Sequence, residues 1–424
     1  MSFSRLLSTT VLLMTVVVIS RIAFAVEPAN SDAWTRFRGP NGLGTLDHCS
    51  VSLPWKPDQV LGRMDLPATG NGSPVIWDSK AFLLCGDQSN ADRYLVAVDL
   101  EKPTILWKKK YPSSVHKLHK YSSYASSTPC VDSERIYCAW GEPTRLTVKA
   151  FTHSGEEVWS RDLGRYETQH GFGASPILVG DLMILFNSQD AEELPSGVLP
   201  GSDSMIALNR LTGTTVWETP LTATRVCYGV PCIATIEGRE AILCSSTGSG
   251  FFAMDAKTGQ MLWEPKPSVF SKRVCSSILN LGSLLISTEG SGGGGNILFA
   301  VKADGSQEEV YRITKFAPYV PTPVAKNECV FLWADNGIAS CMDSQTGKVH
   351  WSERIGGNVS SSPVIFGNTL IGISHDGVVT FLAADKEFKK LGEIALEQLV
   401  RSTPAASSNR LLIRSDQQLW VIAP

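Results

Sequence analysis

The chain has 424 residues, of which 43% are hydrophobic and 19% charged, a globular mixture that excludes a disordered chain and a multi-span membrane protein. A single core rarely grows beyond roughly 250–300 residues, so this length requires several domains or one core built by repetition. With 38 Lys+Arg against 41 Asp+Glu the formal net charge is −3, so no global field recruits nucleic acid or acidic lipid.

The first residues read as an export address. Arg5 opens a short n-region, residues 11–20 form an apolar run, and Ala23-Phe24-Ala25 supplies the small-x-small cleavage pattern. Arg21 ends the run well short of the ~20 apolar residues that a spanning helix needs. The expected organisation is a signal peptide over 1–25, an N-terminal extension over 26–58 and one folded unit over 59–424, in a mature chain that begins near Val26 and resides in the periplasm or outside the cell. The ten cysteines contain no Cys-x-x-Cys, which removes zinc-ribbon, thioredoxin-like and haem-attachment readings. Most stand inside apolar runs such as Leu84-Cys85 and Leu243-Cys244 and are expected to be buried free thiols.

From residue 73 onward one unit recurs. It reads Ser/Thr-Pro-apolar, a short apolar run, apolar-Ala-apolar-Asp, a Thr-Gly turn and a tryptophan. The clearest copy runs Thr322-Pro323-Val324, Val330-Phe331-Leu332, Met342-Asp343, Thr346-Gly347, Trp351. Other copies start at Ser73, Thr128, Ser175 and Val230 and reach Trp107, Trp159, Trp217 and Trp263. Ser277 leads a copy with Tyr311 in the tryptophan slot, Ser362 one with Leu391, and Thr403 a last one that ends with the chain.

Each unit predicts four short antiparallel strands. Runs of four to six Val, Ile, Leu and Phe between Gly, Asn and Asp turns leave no room for long helices. Asp-x-x-Thr-Gly makes a tight hairpin in which Asp bonds the turn backbone and Gly takes a positive φ, so these aspartates are turn residues and not metal ligands. Proline cannot donate to a ladder, and its place at the head of the first strand fits the innermost edge of a radial sheet. The expected fold is all-β: an eight-bladed β-propeller of four-stranded antiparallel blades. The hydroxyls ahead of the prolines are expected to bond the exposed strand edge, and the tryptophans to pack between blades. The eighth unit lacks its outer strand, and Gln59-Val60-Leu61-Gly62-Arg63-Met64 is an unclaimed strand that would complete it and close the ring.

The unit Ala-x-Asp-x-x-Thr-Gly-x-x-x-Trp resembles the pyrroloquinoline-quinone (PQQ) repeat, and the resemblance covers residues 59–424. Trp34-Thr35-Arg36-Phe37-Arg38-Gly39-Pro40-Asn41-Gly42-Leu43-Gly44 resembles the opening segment of exported PQQ-like proteins of planctomycete-type bacteria. Two functional classes share this repeat. Quinoprotein dehydrogenases of sugars or alcohols are longer and stack the quinone on a vicinal disulfide, with an acidic base beside calcium. BamB, the periplasmic scaffold of outer-membrane protein assembly, uses the propeller face and no cofactor. No two cysteines are adjacent here, the nearest being Cys227 and Cys232, and no acidic cluster suggests a metal shell. The resemblance therefore implies a non-catalytic, BamB-like binding or scaffold protein without cofactor or metal, most simply a monomer. PQQ with calcium belongs to the alternative.

Binding in such a ring is expected where the loops entering the innermost strands converge. The residues ahead of the prolines are Asn71, Tyr124, His170, Arg225, Arg273, Tyr319, Asn358 and Arg401. Three arginines and two tyrosines in one funnel would suit an anionic ligand or the acidic segment of a protein partner, since guanidinium forks carboxylates and phosphates. Lys108 to Lys120 is a basic stretch and Asp190 to Asp203 an acidic insertion, both read as solvated loops with contact to a partner as the alternative. Ser291-Gly292-Gly293-Gly294-Gly295 lacks the helix of a phosphate loop and reads as a flexible hairpin tip.

Overall fold

The computed structural model describes residues 33–424. The signal peptide expected over 1–25 lies outside the described residues. Eight radial sheets make a closed ring: blades over residues 75–111, 130–162, 177–221, 232–255, 279–313, 324–354, 364–395 and 405–422. The last blade has only three strands from the C-terminal segment. Its outer strand is Val60–Asp65, which pairs antiparallel with Gln418–Ile422 so that Met64 faces Leu419. The expected closure is present, and it removes the free edge an open ring would carry.

Blade packing explains the strand patterns. The second and third strands of a blade, such as Lys80–Gly86 and Arg93–Asp99, are almost wholly buried because neighbouring blades cover both faces. Such strands read as continuous apolar runs and not as alternation. Outer strands such as Thr104–Tyr111 alternate because one face meets water. In seven blades the outer strand carries a β-bulge beside the repeat's aromatic position. The skipped residue points outward, as with Leu106, Val158 and Val216, and the bulge blunts an edge that would otherwise template pairing. In the fourth blade the outer strand shrinks to a single bridge, Met254 to Met261. There Gln307 from the next blade takes over, accepting from Phe251 N (3.1 Å) and donating to Glu264 O (2.9 Å).

The tryptophans join consecutive blades. The indole N–H of Trp107, Trp159, Trp217 and Trp351 donates at 3.0–3.1 Å to His153, Arg210, Ala256 and Asp385, each in the third-to-fourth strand hairpin of the next blade. Tyr311 does the same through its hydroxyl to Ser344 O (2.9 Å). The turn glycine of that next blade lies under the ring: a Cβ on Gly213, at φ +72°, would meet Trp159 at 2.6 Å. The Thr-Gly of the repeat thus serves its own hairpin and its neighbour's tryptophan.

The hydroxyls ahead of the prolines form a circuit around the axis. Ser73 N donates to Thr128 Oγ1, and Thr128 N to Ser175 Oγ, both at 2.9 Å. The series resumes with Val230 N to Ser277, Ser277 N to Thr322, Thr322 N to Ser362, Ser362 N to Thr403 and, closing the circle, Thr403 N to Ser73 Oγ (3.2 Å). Each hydroxyl satisfies an amide at the exposed inner edge, and that amide belongs to the preceding blade. The missing link falls at Val230, which offers Ser175 no hydroxyl.

The segment ahead of the closing strand crosses the ring axis. Trp34 exchanges both backbone bonds with Ile76 (2.9 Å each), and Thr35 O accepts from Val131 N (2.9 Å). Arg36 donates to Pro231 O, and Asn41 pairs with Ile233 through Nδ2 to O (2.8 Å) and N to Oδ1 (2.7 Å). Arg38 is fully buried and reaches Thr322 O and Pro363 O (2.9 Å each) and Pro323 O (2.7 Å). Gly44 O accepts from Ile365 N (2.8 Å). Eleven residues therefore bond the innermost strands of five blades, which is possible only for a segment lying in the central channel. Innermost strands have one unpaired edge, and this segment supplies donors and acceptors to it.

Candidate functional site

Strands alternate in direction within a blade, so the loops into the innermost strands and the hairpins between second and third strands emerge on one face. They surround a cavity of about 880 Å³ on the axis. Phe37 of the channel segment closes its base, with Thr128, Ser175, Thr322, Ser362 and Thr403 of the hydroxyl circuit around it.

Of the residues expected to converge, His170, Arg273, Tyr319, Asn358 and Arg401 line this cavity, as does Asn71. Two do not reach it, and the convergence expected of them is corrected. Tyr124 is 7% exposed, and its hydroxyl donates to His116 O (2.7 Å) beneath the Arg93 guanidinium, so its ring is part of the wall's core. Arg225 turns away to pair with Glu193 of the acidic insertion. His119 and Lys120 of the basic stretch, read from the sequence as a solvated loop, reach the wall; Tyr121 beside them, and Tyr228 and Cys275 further along the entry loops, were passed over. So were Asp335 and His375, which come from hairpins between second and third strands. The alternating strand direction was the available signal for that second set.

The wall has two sides. On one, Arg273 donates from Nε to Val226 O (2.9 Å) and from Nη2 to Asp190 Oδ1 (3.2 Å), with Nη1 beside His170 Nε2 (3.4 Å). Asp190 is 1% exposed and also accepts from Gln169 N (2.8 Å) and Val226 N (2.9 Å). The acidic insertion therefore begins with a structural carboxylate and not with a solvated one. His170 stacks on His119 at 5.2 Å. Burial, and then the Arg273 charge, push His170 down to about 4. Burial also lowers His119 and His375, helped by Lys120 and Arg401 respectively. At neutral pH the three imidazoles are uncharged, and the cations of the wall are Lys120, Arg273 and Arg401.

On the other side Arg401 stands over Tyr121 at 5.5 Å, and Lys120 Nζ lies 4.8 Å from the same ring. Tyr121 is fixed by Asn71 Nδ2 donating to its carbonyl (2.8 Å) and packs on His375 at 5.6 Å. His375 Nε2 is 2.7 Å from Ser360 Oγ.

A profile of the family described as outer membrane protein assembly factor BamB matches residues 56–308 and 306–387. No curated protein sequence matches the chain. Among solved structures, BamB from Moraxella catarrhalis is similar at 14% identity and a TM-score of 0.59, covering 86% of this chain and 99% of its own. A quinohemoprotein alcohol dehydrogenase from Comamonas testosteroni is similar at 11% identity and 0.61, covering 93% and 81%. Sqt1 from Saccharomyces cerevisiae is similar at 9% and 0.63, covering 86% and 98%. At these identities the structures share the fold and nothing finer.

The dehydrogenase neighbour raises the question of PQQ with calcium. The wall carries one carboxylate, Asp335, whose two oxygens accept from Tyr319 N (2.6 Å) and Val320 N (3.0 Å). It carries one cysteine, Cys275, and all ten cysteines are free thiols. Among the described residues no group of three His, Cys, Asp or Glu stands ready to hold an ion. Calcium takes six to eight oxygen ligands, several of them carboxylate, so this donor set does not fit the group. The repeat, the eight-bladed ring and the profile covering residues 56–387 lead to one assignment: the chain belongs to the family described as outer membrane protein assembly factor BamB.

Proposed function

We propose that this protein is an exported binding and scaffold propeller that holds a protein partner in the cell envelope through its cavity-bearing face. The observation that carries this reading is the cavity itself, about 880 Å³ on the axis, walled by loops from around the ring and supplied with arginines, tyrosines and asparagines. Such a volume accommodates several side chains of an inserted segment. The family description, an assembly factor, agrees with a partner-holding role. A photo-cross-linking side chain placed at Val115 or Val320, both exposed beside the cavity-forming loops, should capture a partner in the native envelope. The same side chain at Thr346, in a hairpin on the opposite face, should capture none. Adducts from Thr346 alone would refute the reading. Under the alternative, PQQ and calcium added to the purified protein would support turnover with an artificial electron acceptor; we expect none.

A further inference from the structure

The arginines of the cavity-bearing face are not equivalent. Arg225 is paired with Glu193, and Arg273 spends its donors on Val226 O and Asp190. Arg401 differs from both. It has only a loose ion pair, Nη1 to Asp416 Oδ1 at 3.7 Å, too long for a hydrogen bond. Its Nε is buried and unpartnered. The side chain is 18% exposed, so the guanidinium has lost much of its hydration without gaining hydrogen bonds in return. Lys120 lies against the same Tyr121 ring.

We infer that Arg401, with Lys120 on the Tyr121 ring, is the acceptor for an acidic side chain of a peptide segment, while Arg273 braces the wall. This rests on the proposed partner-binding role of the same face. Two cations within 6 Å of one aromatic ring, with donors unspent and water partly excluded, favour an incoming oxyanion that can take both prongs of the guanidinium. The surroundings favour a peptide over an acidic sugar. Tyr121 and, two residues before Arg401, Leu399 are exposed and apolar, Val320 offers an exposed apolar side chain elsewhere on the same cavity wall, and no tryptophan, the usual platform for a sugar ring, lines the cavity.

The test is fluorescence anisotropy with a labelled decapeptide of alternating glutamate and phenylalanine, against its glutamine counterpart. The wild type should prefer the glutamate peptide, and the preference should fall as salt rises. Arg401→Gln should weaken glutamate-peptide binding about tenfold and Lys120→Gln about threefold, each with an unchanged melting temperature, as expected for charge-assisted bonds at a partly desolvated site. Arg273→Gln should instead lower the melting temperature. Equal binding of the two peptides, Arg401→Gln binding within twofold of wild type, or stronger capture of an oligo-glucuronate than of the peptide would overturn the inference. Cross-links from Val115 and Val320 would survive that outcome, so failure of this assignment is distinguishable from failure of the scaffold reading.

Discussion

Arg38 offers a sharp test of how the channel segment supports the ring. Its guanidinium is completely buried without a carboxylate partner, and burial pushes it down to about 9, so it remains protonated at neutral pH. It donates to Thr322 O, Pro323 O and Pro363 O on two different blades, and to Gly42 O and Leu43 O (3.2 Å each) within its own segment. In Arg38→Met the cost of burying the charge and the bond energy that offsets it vanish together. What remains is three innermost-strand carbonyls without donors, at ~1–3 kcal/mol each. Allowing for a water that enters the vacated space, the expected loss is about 3–6 kcal/mol. Arg38→Lys keeps the charge but cannot span two blades, so it should lose about half as much or more. Urea unfolding followed by tryptophan fluorescence reads the change directly, because Trp34 lies in the same segment and is fully buried. A midpoint for Arg38→Met within about 0.5 kcal/mol of wild type, at unchanged m-value, would refute the view that this side chain ties blades together.

The remaining predictions concern the ring and its polar core. Gly213→Ala should cost about 2–4 kcal/mol because its Cβ would collide with Trp159, whereas Gly180→Ala, also at positive φ (+53°) but with nothing within 4 Å, should cost only about 1 kcal/mol; equal losses in thermal melts would show that backbone strain alone is at work. Val230→Thr should complete the hydroxyl circuit by giving Ser175 N an acceptor, raising stability by about 0.5–1.5 kcal/mol, and a loss would show that the gap is compensated elsewhere. Asp203 is 3% exposed and burial raises it to about 7, so the stability it contributes is present below its unfolded value near 4 and is lost as pH rises through 7. Asp203→Asn should therefore gain about 2–3 kcal/mol relative to wild type between pH 5 and pH 8, and a pH-independent difference in melting would contradict a buried, late-ionising carboxyl.

The amino-acid sequence determined the blades and their number, because those depend on short-range chemistry. Asp343 and Gly347 specify a hairpin by local bonding and a positive φ, Pro323 marks an unpaired edge, and the apolar run of Cys329–Trp333 marks a strand covered on both faces. Closure was legible for the same reason: Val60–Asp65 had no partner of its own and the last unit lacked a strand. What only the tertiary structure decided is how residues that are far apart in the chain divide the donors and acceptors that meet on the axis. Arg38 has no local partner in its motif, and its role exists only once Thr322 and Pro363 are brought 284 and 325 residues across the chain to meet it. Arg225, Arg273 and Arg401 stand in the entry loops of the fourth, fifth and eighth units, yet Glu193 and Asp190 claim the first two and leave the third with donors to spare. A repeat sets where a side chain starts; the ion pair or hydrogen bond that ends its reach belongs to whichever loop folds beside it.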